Sequence, residues 1–599
     1  MWPAVVPTCL LLLLLLLGST GNLALTANEL VKRSHQEQHC ETLLLLRHSR
    51  QLPCSQMEQV AAATTWPVLR FSSQANFYLK SSQSTEMLAL ICLTGHMEMD
   101  LALWQALANN LYNMRHVRLL LLLQLATAQS LQQQLRELAN TALQLHFPHV
   151  VLLLLSTDNA YQLQPYAQEH WLLLQPNSSG SPIFARQYNY HRLTARSLPD
   201  QVSPRSLGYR DRKTGELRMT GFVAKLMQEF ARVHNISLRW QRQVIVGQQL
   251  SIILLRNMTL NGTLQLPITL CGYELPTKEG YYTYPFDVAE WFVIVPCAQE
   301  TPTAEVYLTV CSWNMLVVLL ASYCIFTLLD TCFGWLLMQQ QVDWTNLVFN
   351  ERMISGIIGQ PCKLYAQATN SSRLAHAQLF LLGLIVSTLF AAQLKTLLTK
   401  RPMERMVTSF EELRDSHLSI HFTEGEHFYV NMMDRDTPID IIRSKITFLQ
   451  TTVFYKERRS LNKSKAFSMT STEWQVIKQQ QDLFQRPVLC FQPGLIFRYK
   501  ILASVPLQAN SIFAEPLEEL MLRVVDTGLL LYWKKQSLGE LIALGEISGK
   551  DPYPYVPFYD FKVGDLFWVW LGWAWALSLA FVVFLCELIV YRTTKYLNN

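Results

Sequence analysis

The stretch VYLTVCSWNMLVVLLASYCIFTLL, residues 306–329, contains no charged side chain and decides the fold class of this chain. Two further uncharged spans follow at Leu374–Leu394 and Leu566–Cys586. At about 1.5 Å per residue, each span is roughly 32–36 Å long as a helix, against a hydrocarbon core of about 30 Å. The sequence therefore predicts three transmembrane helices with soluble sequence around them.

The composition agrees with a membrane protein that keeps most of its mass in water. Of the 599 residues, 50% are hydrophobic and 16% are charged, a modest bias toward the membrane class. The net charge is only +5 and its lysines and arginines are scattered, so we expect no nucleic-acid partner. The first 21 residues contain the run Leu10–Leu17 followed by small residues, which is typical of a cleaved signal peptide. We therefore expect the mature N-terminus outside the cytosol.

Alternating apolar and helical segments predict an α/β domain ahead of the first span. Apolar runs at Met87–Leu93, Val117–Gln124 and Val150–Ser156 are separated by helical stretches at Ala102–Asn113 and Ser130–Gln144. This βαβ alternation predicts a parallel sheet. We favour a dimerisation or folding module over a ligand-binding role for this domain.

Soluble sequence on each side of the first two spans predicts two more folded lobes. In the first lobe, GYRDRKTGELRMTG is typical of a polar hairpin. The following segment FVAKLMQEFARV is typical of an amphipathic helix. Its apolar face is predicted to contain Phe222, Leu226, Phe230 and Val233.

The segment Trp344–Pro361, between the first two spans, decides the topology. It and its leading edge carry Asp343, Glu351 and Arg352. Each charge at the middle of a bilayer costs about 2.5–3.5 kcal/mol, so a third lipid-facing crossing is disfavoured. We predict a re-entrant segment that returns to the side it entered, which leaves residues 400–560 outside. Two alternatives stay open: a full crossing, which would make that part cytosolic, and an amphipathic helix on the inner membrane surface.

Glycosylation sequons and cysteines fit the re-entrant topology. Five sequons lie in segments predicted outside, at Asn177, Asn235, Asn257, Asn261 and Asn462. Another begins at Asn370, in the loop predicted inside. The six cysteines of the outer segments have wide, irregular spacing, which fits neither a zinc site nor a dense disulfide scaffold. We predict one or two disulfides and no metal site.

Four segments carry a resemblance to one family. LFAAQLKTLLTKR (389–401) resembles the gate signature of ionotropic glutamate receptors, SYTANLAAFLT in form, with Gln393 in the place of its asparagine. MISGIIGQPCKL (353–364) resembles the pore loop of the divergent insect-type ionotropic receptors, in which a Gly-Gln pair follows a short helix. TYPFDVAEWFVIVP (283–296) and RVVDTGLLLYW (523–533) are similar to lobe segments of that family. Over nearly its whole length, the chain resembles a variant ionotropic glutamate receptor of the insect type.

The resemblance implies α/β extracellular domains and an α-helical ion-channel domain. It also implies a bilobed, periplasmic-binding-protein-like ligand domain that is split by three transmembrane helices and a re-entrant pore loop. The implied parts are a signal peptide at 1–21, an N-terminal α/β extracellular domain at 22–205, ligand-binding lobe 1 at 206–304, transmembrane helix 1 at 305–330, the pore loop at 343–362, a transmembrane helix with the gate at 374–398, ligand-binding lobe 2 at 399–560, the last transmembrane helix at 565–590 and a cytoplasmic tail at 591–599.

Site residues follow from the same resemblance. The pore is expected at Gly359 and Gln360. The gate is expected on the small and polar helix face that comprises Thr388, Ala391, Ala392, Lys395 and Thr399. Ligand contacts are expected from Tyr273, Tyr282, Thr470, Glu473 and Trp474. The alternatives are ordinary helix packing for the gate face and ordinary core packing for the aromatic side chains.

The implied function is a subunit of a ligand-gated non-selective cation channel, a gustatory or olfactory chemosensory receptor. Gly272 and Tyr273 stand where the family's glutamate-binding members carry an arginine, so an α-carboxylate would lack its partner and glutamate is not the expected ligand. The expected partners are the membrane, a small-molecule ligand and co-receptor subunits of the same family in a hetero-tetramer. The expected location is the plasma membrane of a sensory dendrite, with an extracellular N-terminus and a cytoplasmic C-terminus.

Two other classes of function stay open. The first is a non-conducting membrane receptor or trafficking subunit of such a complex. The second is a multi-pass transporter, a class that typically has inverted repeats and charged residues at the midplane of the bilayer. The chain has no phosphate loop, HExxH or GxSxG motif, so we expect neither enzymatic activity nor a cofactor.

Overall fold

Two compact units are formed by the chain. The computed structural model describes residues 26–49, 54–124, 131–175, 182–184, 189–272, 280–301, 313–338, 347, 349–361, 370–399, 402–554 and 563–597. The α/β unit comprises Met1–Val295 with Thr408–Pro552, and the helical unit comprises Pro296–Val407 with Tyr553–Asn599. The predicted combination of an α/β part with long apolar helices is thereby confirmed.

The N-terminal part of the α/β unit is a seven-stranded sheet with the order β2-β1-β3-β4-β5-β6-β7. Its strands are β1 (Thr42–Arg47), β2 (Val68–Ser72), β3 (Met87–Leu93), β4 (Arg118–Leu123), β5 (Val150–Leu154), β6 (Asn159–Leu163) and β7 (Trp171–Leu173). The accompanying helices are α1 (Ala27–Glu37), α2 (Ser55–Ala63), α3 (Met97–Asn110) and α4 (Leu131–Gln144). Strands β3 to β5 are parallel, as predicted; β1 and β2, which were not predicted, extend the parallel sheet, and β6 and β7 add an antiparallel edge.

Burial on both faces explains the unbroken apolar strands of this sheet. In β3, Ala89 and Ile91 face one hydrophobic core, whereas Leu88 and Leu90 face another. Such runs are typical of parallel strands that are covered on both faces.

Disulfides are present in the α/β unit, as the cysteine pattern predicts. One joins Cys54, which precedes α2, to Cys92 in β3. Cys490 of the α/β unit and Cys297 of the helical unit are also disulfide-bonded.

The described residues between 189 and 296, which exclude 273–279, add short strands and two helices. These are β8 (Thr194–Ser197), β9 (Leu207–Arg210), β10 (Leu217–Thr220), α5 (Phe222–Val233), β11 (Ser237–Trp240), α6 (Ile252–Leu260), β12 (Cys271–Gly272), β13 (Gly280–Tyr282) and β14 (Asp287–Pro296). Strands β9 and β10 pair antiparallel and confirm the predicted hairpin. In α5, Phe222, Leu226 and Phe230 are buried as predicted, but Val233 is 45% exposed. The buried stripe continues instead to His234, four residues after Phe230, because an α-helix repeats every 3.6 residues.

The helical unit follows with α7 (Trp313–Met338), α8 (Glu351–Ile358) and α9 (Asn370–Thr399). Two of these helices are long and apolar enough to cross a membrane, over Trp313–Leu336 and Asn370–Leu397. Helix α7 runs past residue 330, where the predicted span ends, so that Asp330 lies inside the helix and not at its end. The contacts of this carboxylate are described below.

The α/β unit resumes at Thr408. Its remaining elements are α10 (Phe410–Asp415), β15 (Ser419–Thr423), α11 (Glu424–Met432), β16 (Ile446–Leu449), α12 (Thr451–Arg459), β17 (Lys465–Thr470), α13 (Ser471–Gln481), β18 (Leu489–Cys490), β19 (Ile496–Ser504), β20 (Pro506–Gln508), α14 (Ala514–Asp526) and α15 (Leu529–Ala543).

One sheet combines strands from both chain segments of the α/β unit. Its order is β12-β19-β14-β17-β15-β16, with β18 beside β14. Strand β14 pairs antiparallel with β17 and β19, so that Val293 faces Ser468. Phe286, just before β14, belongs to a first core with α5 and α14, whereas Phe292 belongs to a second core with α12 and α13. Strand β14 therefore connects two hydrophobic cores, which we call the first core and the second core.

The last helix of the helical unit, α16 (Phe567–Leu597), contains the third candidate span, Phe567–Thr594. None of the most apolar part of this span is buried. The three predicted membrane-spanning stretches thus correspond to three long apolar helices.

Candidate functional site

A short helix, α8, lies between the two membrane helices α7 and α9. It begins after Asn350, whose Oδ1 accepts hydrogen bonds from the backbone N–H groups of Arg352 (3.1 Å) and Met353 (3.4 Å). It ends at Gly359, which adopts a left-handed conformation with φ of +79°. Eight residues give a helix of about 12 Å, too short to cross a membrane. The segment was predicted to begin at Trp344, which lies outside the described residues; within the described part, Phe349 and Asn350 are not helical and Asn350 caps the helix that starts at Glu351.

Glycines bring α8 into close contact with the middle of α9. A Cβ atom on Gly383 would lie 2.1 Å from the carbonyl oxygen of Gly356, and a Cβ atom on Gly356 would lie 2.5 Å from a methyl carbon of Leu379. A Cβ atom on Gly359 would meet the Ser387 hydroxyl oxygen at 3.3 Å. The C-terminal end of α8 therefore lies beside Gly383 and Ser387, near the middle of the 30-residue α9.

A buried polar group ties α7, α8 and α9 together, and we call it the Asp330 cluster. The Asn350 side chain donates to Asp330 Oδ2 (3.2 Å), and the Asn350 backbone N–H donates to the Tyr323 hydroxyl (2.9 Å). Asp330 Oδ1 lies 3.9 Å from His376 Nε2 on α9. These partners lower the cost of burying the Asp330 carboxylate within α7. The cluster was not predicted from the sequence. The available signal was Asp330 itself, because an acidic residue beside an apolar span is usually paired with another polar group.

The five predicted gate residues all lie on the single helix α9, as the sequence predicts. Thr388, Ala391, Ala392 and Lys395 are exposed in the single chain. The Thr388 hydroxyl donates to the Leu384 carbonyl oxygen at 2.8 Å. Thr399 ends the helix, and its side chain lies outside the described part.

The predicted pore residues lie at the C-terminal end of α8. The Gln360 backbone N–H donates to the Ser355 carbonyl oxygen at 2.8 Å, and the residue is exposed. Gly359 approaches Ser387, the residue before Thr388. The structure therefore places the predicted pore segment at the level where the predicted gate face begins.

Three of the predicted ligand residues come together at the first turn of α13. Thr470 and Glu473 form a capping box that closes the N-terminus of this helix. Trp474 packs against the second core, 6.4 Å from the Phe491 ring. Tyr282 lies elsewhere, in the pair β13–β20, where its buried hydroxyl accepts a hydrogen bond from Arg256. Tyr273 lies outside the described residues.

Glu473 is bound from several sides in a group that we call the Glu473 cluster. Its Oε2 lies 3.2 Å from Arg458 Nη1, and its Oε1 accepts a hydrogen bond from the Tyr455 hydroxyl at 3.1 Å. Arg205, which precedes β9, is paired with Asp200 at 3.1 Å, and its charge also acts on Glu473. Burial opposes ionisation of Glu473, but Arg458 and Arg205 together hold the pKa of its carboxyl below the usual value.

The Glu473 cluster changes one expectation from the sequence. We expected no arginine at the ligand site, because Gly272 and Tyr273 occupy the position where the resemblance would place one. Arg458 contacts Glu473, and the charge of Arg205 acts on it, from two other parts of the chain. No local pattern marks these arginines, since both become neighbours of Glu473 only through the fold.

Strand β14 supplies further polar contacts at the start of α13. Asp287 Oδ2 accepts a hydrogen bond from the Thr472 hydroxyl at 2.7 Å, and its Oδ1 lies 2.6 Å from Lys534 Nζ on α15. The Glu290 backbone N–H donates to the Ser471 hydroxyl at 3.0 Å. The first turn of α13, in the second core, is thereby linked through β14 to α15, which packs on the first core.

Comparisons with known proteins add no assignment. No protein-family model matches the chain, and no curated protein matches it. Among the described residues, no group of three or more His, Cys, Asp or Glu side chains has the arrangement of a metal site. The functional argument therefore rests on geometry.

Proposed function

We propose that the chain is a subunit of a ligand-gated non-selective cation channel of the plasma membrane. The observation that carries the proposal is the sheet in which β14, before the helical segment, pairs with β17 and β19, after it. Strands of one sheet lie on the same side of a membrane, so the chain crosses it an even number of times between them. Helices α7 and α9 provide two crossings, and the short α8 then enters and leaves by the same face.

An ion pathway follows from the position of α8. The C-terminus of a helix carries a partial negative charge, which favours cations. At this end, Gly359 leaves backbone carbonyl groups open to approach, and the Gln360 amide lies beside them. The face of α9 that carries Thr388 and Lys395 is suited to contact with other subunits or water, because a lipid-exposed lysine is costly.

Gating in this proposal uses the first core and the second core, which β14 connects. In this proposal, each core is one lobe of a clamp, and the Glu473 cluster lies where the lobes meet. A ligand that binds better to the closed clamp shifts the equilibrium of the gate. Arg205 and Arg458 already have carboxylate partners in Asp200 and Glu473, which supports a small polar or weakly apolar tastant or odorant over glutamate.

The assembly in this proposal is a hetero-tetramer with co-receptor subunits of the same family. Its N-terminal α/β part is extracellular and its C-terminal tail is cytoplasmic, in the dendrite of a sensory neuron. The exposed apolar surface of α16 supports assembly within a membrane, since none of the most apolar part of this helix is buried in its own chain.

Replacing Gln360 by Arg tests the pore. The variant and the wild type are each co-expressed with co-receptor subunits, and ligand-evoked currents are recorded in solutions of different cations. We expect Gln360→Arg to reduce divalent relative to monovalent permeability and to change rectification, because a fixed positive charge repels divalent ions more strongly.

The matched control is Gln132→Arg, the same substitution at an exposed position of α4. It should leave permeability unchanged. If Gln360→Arg reaches the cell surface and alters neither permeability nor rectification, the chain is instead a non-conducting receptor or trafficking subunit.

A further inference from the structure

A cavity of about 470 Å³ lies within the α/β unit, where the N-terminal sheet meets the first core. On the N-terminal side its lining includes Arg115 and His146. On the other side its lining includes the start of α14, with Glu515 and Glu518. Small-molecule sites in proteins have volumes of about 300–1,000 Å³, so this cavity has the right size for a small ligand.

The wall of the cavity is built by specific contacts. Asn113 and Asn510 exchange hydrogen bonds, each backbone N–H donating to the other side chain at 2.7 and 2.9 Å. His146 Nδ1 lies 3.1 Å from the Asn510 carbonyl oxygen. All three residues have left-handed backbones, with φ of 61°, 58° and 63°. Such conformations are uncommon outside glycine and persist where the surroundings fix them.

Arg115 is the unusual side chain of this cavity. Only 8% of it is exposed, and its guanidinium lies 4.6 Å from the centre of the Phe147 ring. Its Nε and Nη1 atoms have no hydrogen-bond acceptor among the described residues. Burial lowers the pKa of Arg115 to about 10, so the group stays charged at neutral pH. A buried charge without a partner is destabilising, and an oxyanion would remove that penalty.

The carboxylates of α14 that line the cavity are engaged elsewhere. Glu515 Oε2 lies 3.4 Å from His149 Nε2. Glu518 Oε1 accepts hydrogen bonds from the Tyr281 hydroxyl at 2.8 Å and from the Tyr284 backbone N–H at 3.2 Å. Helix α14 also lacks a side-chain cap at its N-terminus, which faces the same space and favours negative charge.

We propose that this cavity is a binding site for a small organic anion, whose carboxylate or phosphate group accepts hydrogen bonds from Arg115. The site is separate from the Glu473 cluster and does not depend on the channel function. Its position between the N-terminal sheet and the first core means that an occupant contacts both.

Isothermal titration of the full-length protein in detergent tests the site directly. The probes are succinate and inorganic phosphate, with succinamide as an uncharged control, all at one ionic strength. We expect succinate or phosphate to bind with a Kd below about 1 mM, and succinamide not to bind. The comparison of the two anions distinguishes a carboxylate from a phosphate site. Absence of binding by both anions to the wild type overturns the proposal.

The variant Arg115→Met identifies the group that binds. We expect its affinity for the anion to fall about ten- to a hundred-fold, as the loss of hydrogen bonds to a charged group predicts. Arg70→Met is the matched control, since Arg70 is an exposed arginine of the same sheet and pairs with Glu58. It should bind the anion as the wild type does. Undiminished binding by Arg115→Met contradicts the proposal.

Thermal unfolding without any probe gives a second readout. Because Arg115 lacks an acceptor, Arg115→Met should unfold at the same temperature as the wild type or a higher one. A purely structural arginine would give the opposite result. A clearly lower unfolding temperature would mean that the guanidinium already has its partner within the chain, and the proposal would then fail.

Discussion

At the scale of single residues, Glu473 combines a predictable position with unpredictable partners. Its place three residues after Thr470, at the start of a helix, follows from the sequence, because a Thr-x-x-Glu pattern is typical of a capping box. The ion pair with Arg458 and the field of Arg205 do not follow. The arginines that surround Glu473, and that make it a candidate ligand-site residue, can therefore be identified only from the fold.

The charge of Glu473 predicts a specific pH dependence of stability. Its pKa is lowered in the folded protein, so its contribution is complete above the unfolded value of 4.5 and is lost as the pH falls toward the folded pKa. Glu473→Gln should lower the free energy of unfolding by about 3–5 kcal/mol at pH 7, because it leaves Arg458 without its counter-charge. Thermal unfolding of the full-length protein, followed by tryptophan fluorescence from pH 4 to pH 8, measures the difference.

The difference between Glu473→Gln and the wild type should shrink below about pH 4.5, because Glu473 binds a proton in the unfolded chain there, whereas its lowered pKa keeps it ionised in the folded protein. Glu58→Gln is the control, since the Glu58–Arg70 pair is largely exposed and such pairs contribute about 0–1 kcal/mol. A Glu473→Gln effect that is the same at pH 4 and pH 8 would contradict the assignment of the ion pair.

At the scale of elements, the long helices were predictable, and so was a short helix before Gly359, but the start of that short helix was not. Uncharged runs above 20 residues match the thickness of the hydrocarbon core, and all three correspond to helices that can span a membrane. Helix α8 starts where the Asn350 side chain caps it, which no apolar pattern reveals. Strand β6 is as long as β5, with five residues, but lacks the unbroken apolar run that marks β3 to β5, and β7 has only three residues.

The contact between α8 and α9 predicts that Gly383 cannot be replaced. A methyl group at this position would meet the Gly356 carbonyl oxygen, so Gly383→Ala must push α8 away from α9. Overpacking of this kind costs about 1–3 kcal/mol. We expect a lower thermal unfolding temperature of the full-length protein and, if α8 lines the pore, smaller ligand-evoked currents at equal surface expression.

Gly572→Ala provides the matched control for Gly383→Ala. Gly572 also lies in a membrane helix, α16, but a Cβ atom there meets nothing within 4 Å in the described part of the chain. The substitution should leave unfolding temperature and currents unchanged. Equal effects of the two substitutions would refute the close glycine contact as their cause.

At the scale of the whole molecule, strand pairing constrains how often the chain crosses the membrane. The sequence argues for a re-entrant segment from the cost of placing Glu351 and Arg352 in lipid. The sheet supports the same topology through an independent fact, the pairing of Val293 with Ser468. The join between the N-terminal sheet and the first core, through Asn113 and Asn510, was not predictable, because two asparagines far apart in sequence carry no pattern.

Glycan mapping tests the even number of crossings. Asn235 and Asn462 are sequon asparagines of the α/β unit on opposite sides of the helical segment, and Asn370 begins α9 within it. We expect Asn235→Gln and Asn462→Gln each to remove one glycan in intact cells, and Asn370→Gln to remove none. The electrophoretic shift on deglycosylation of each variant measures this. A protein that carries glycans on Asn235 and Asn370 but none on Asn462 would require an odd number of crossings, and β14 could then not pair with β17.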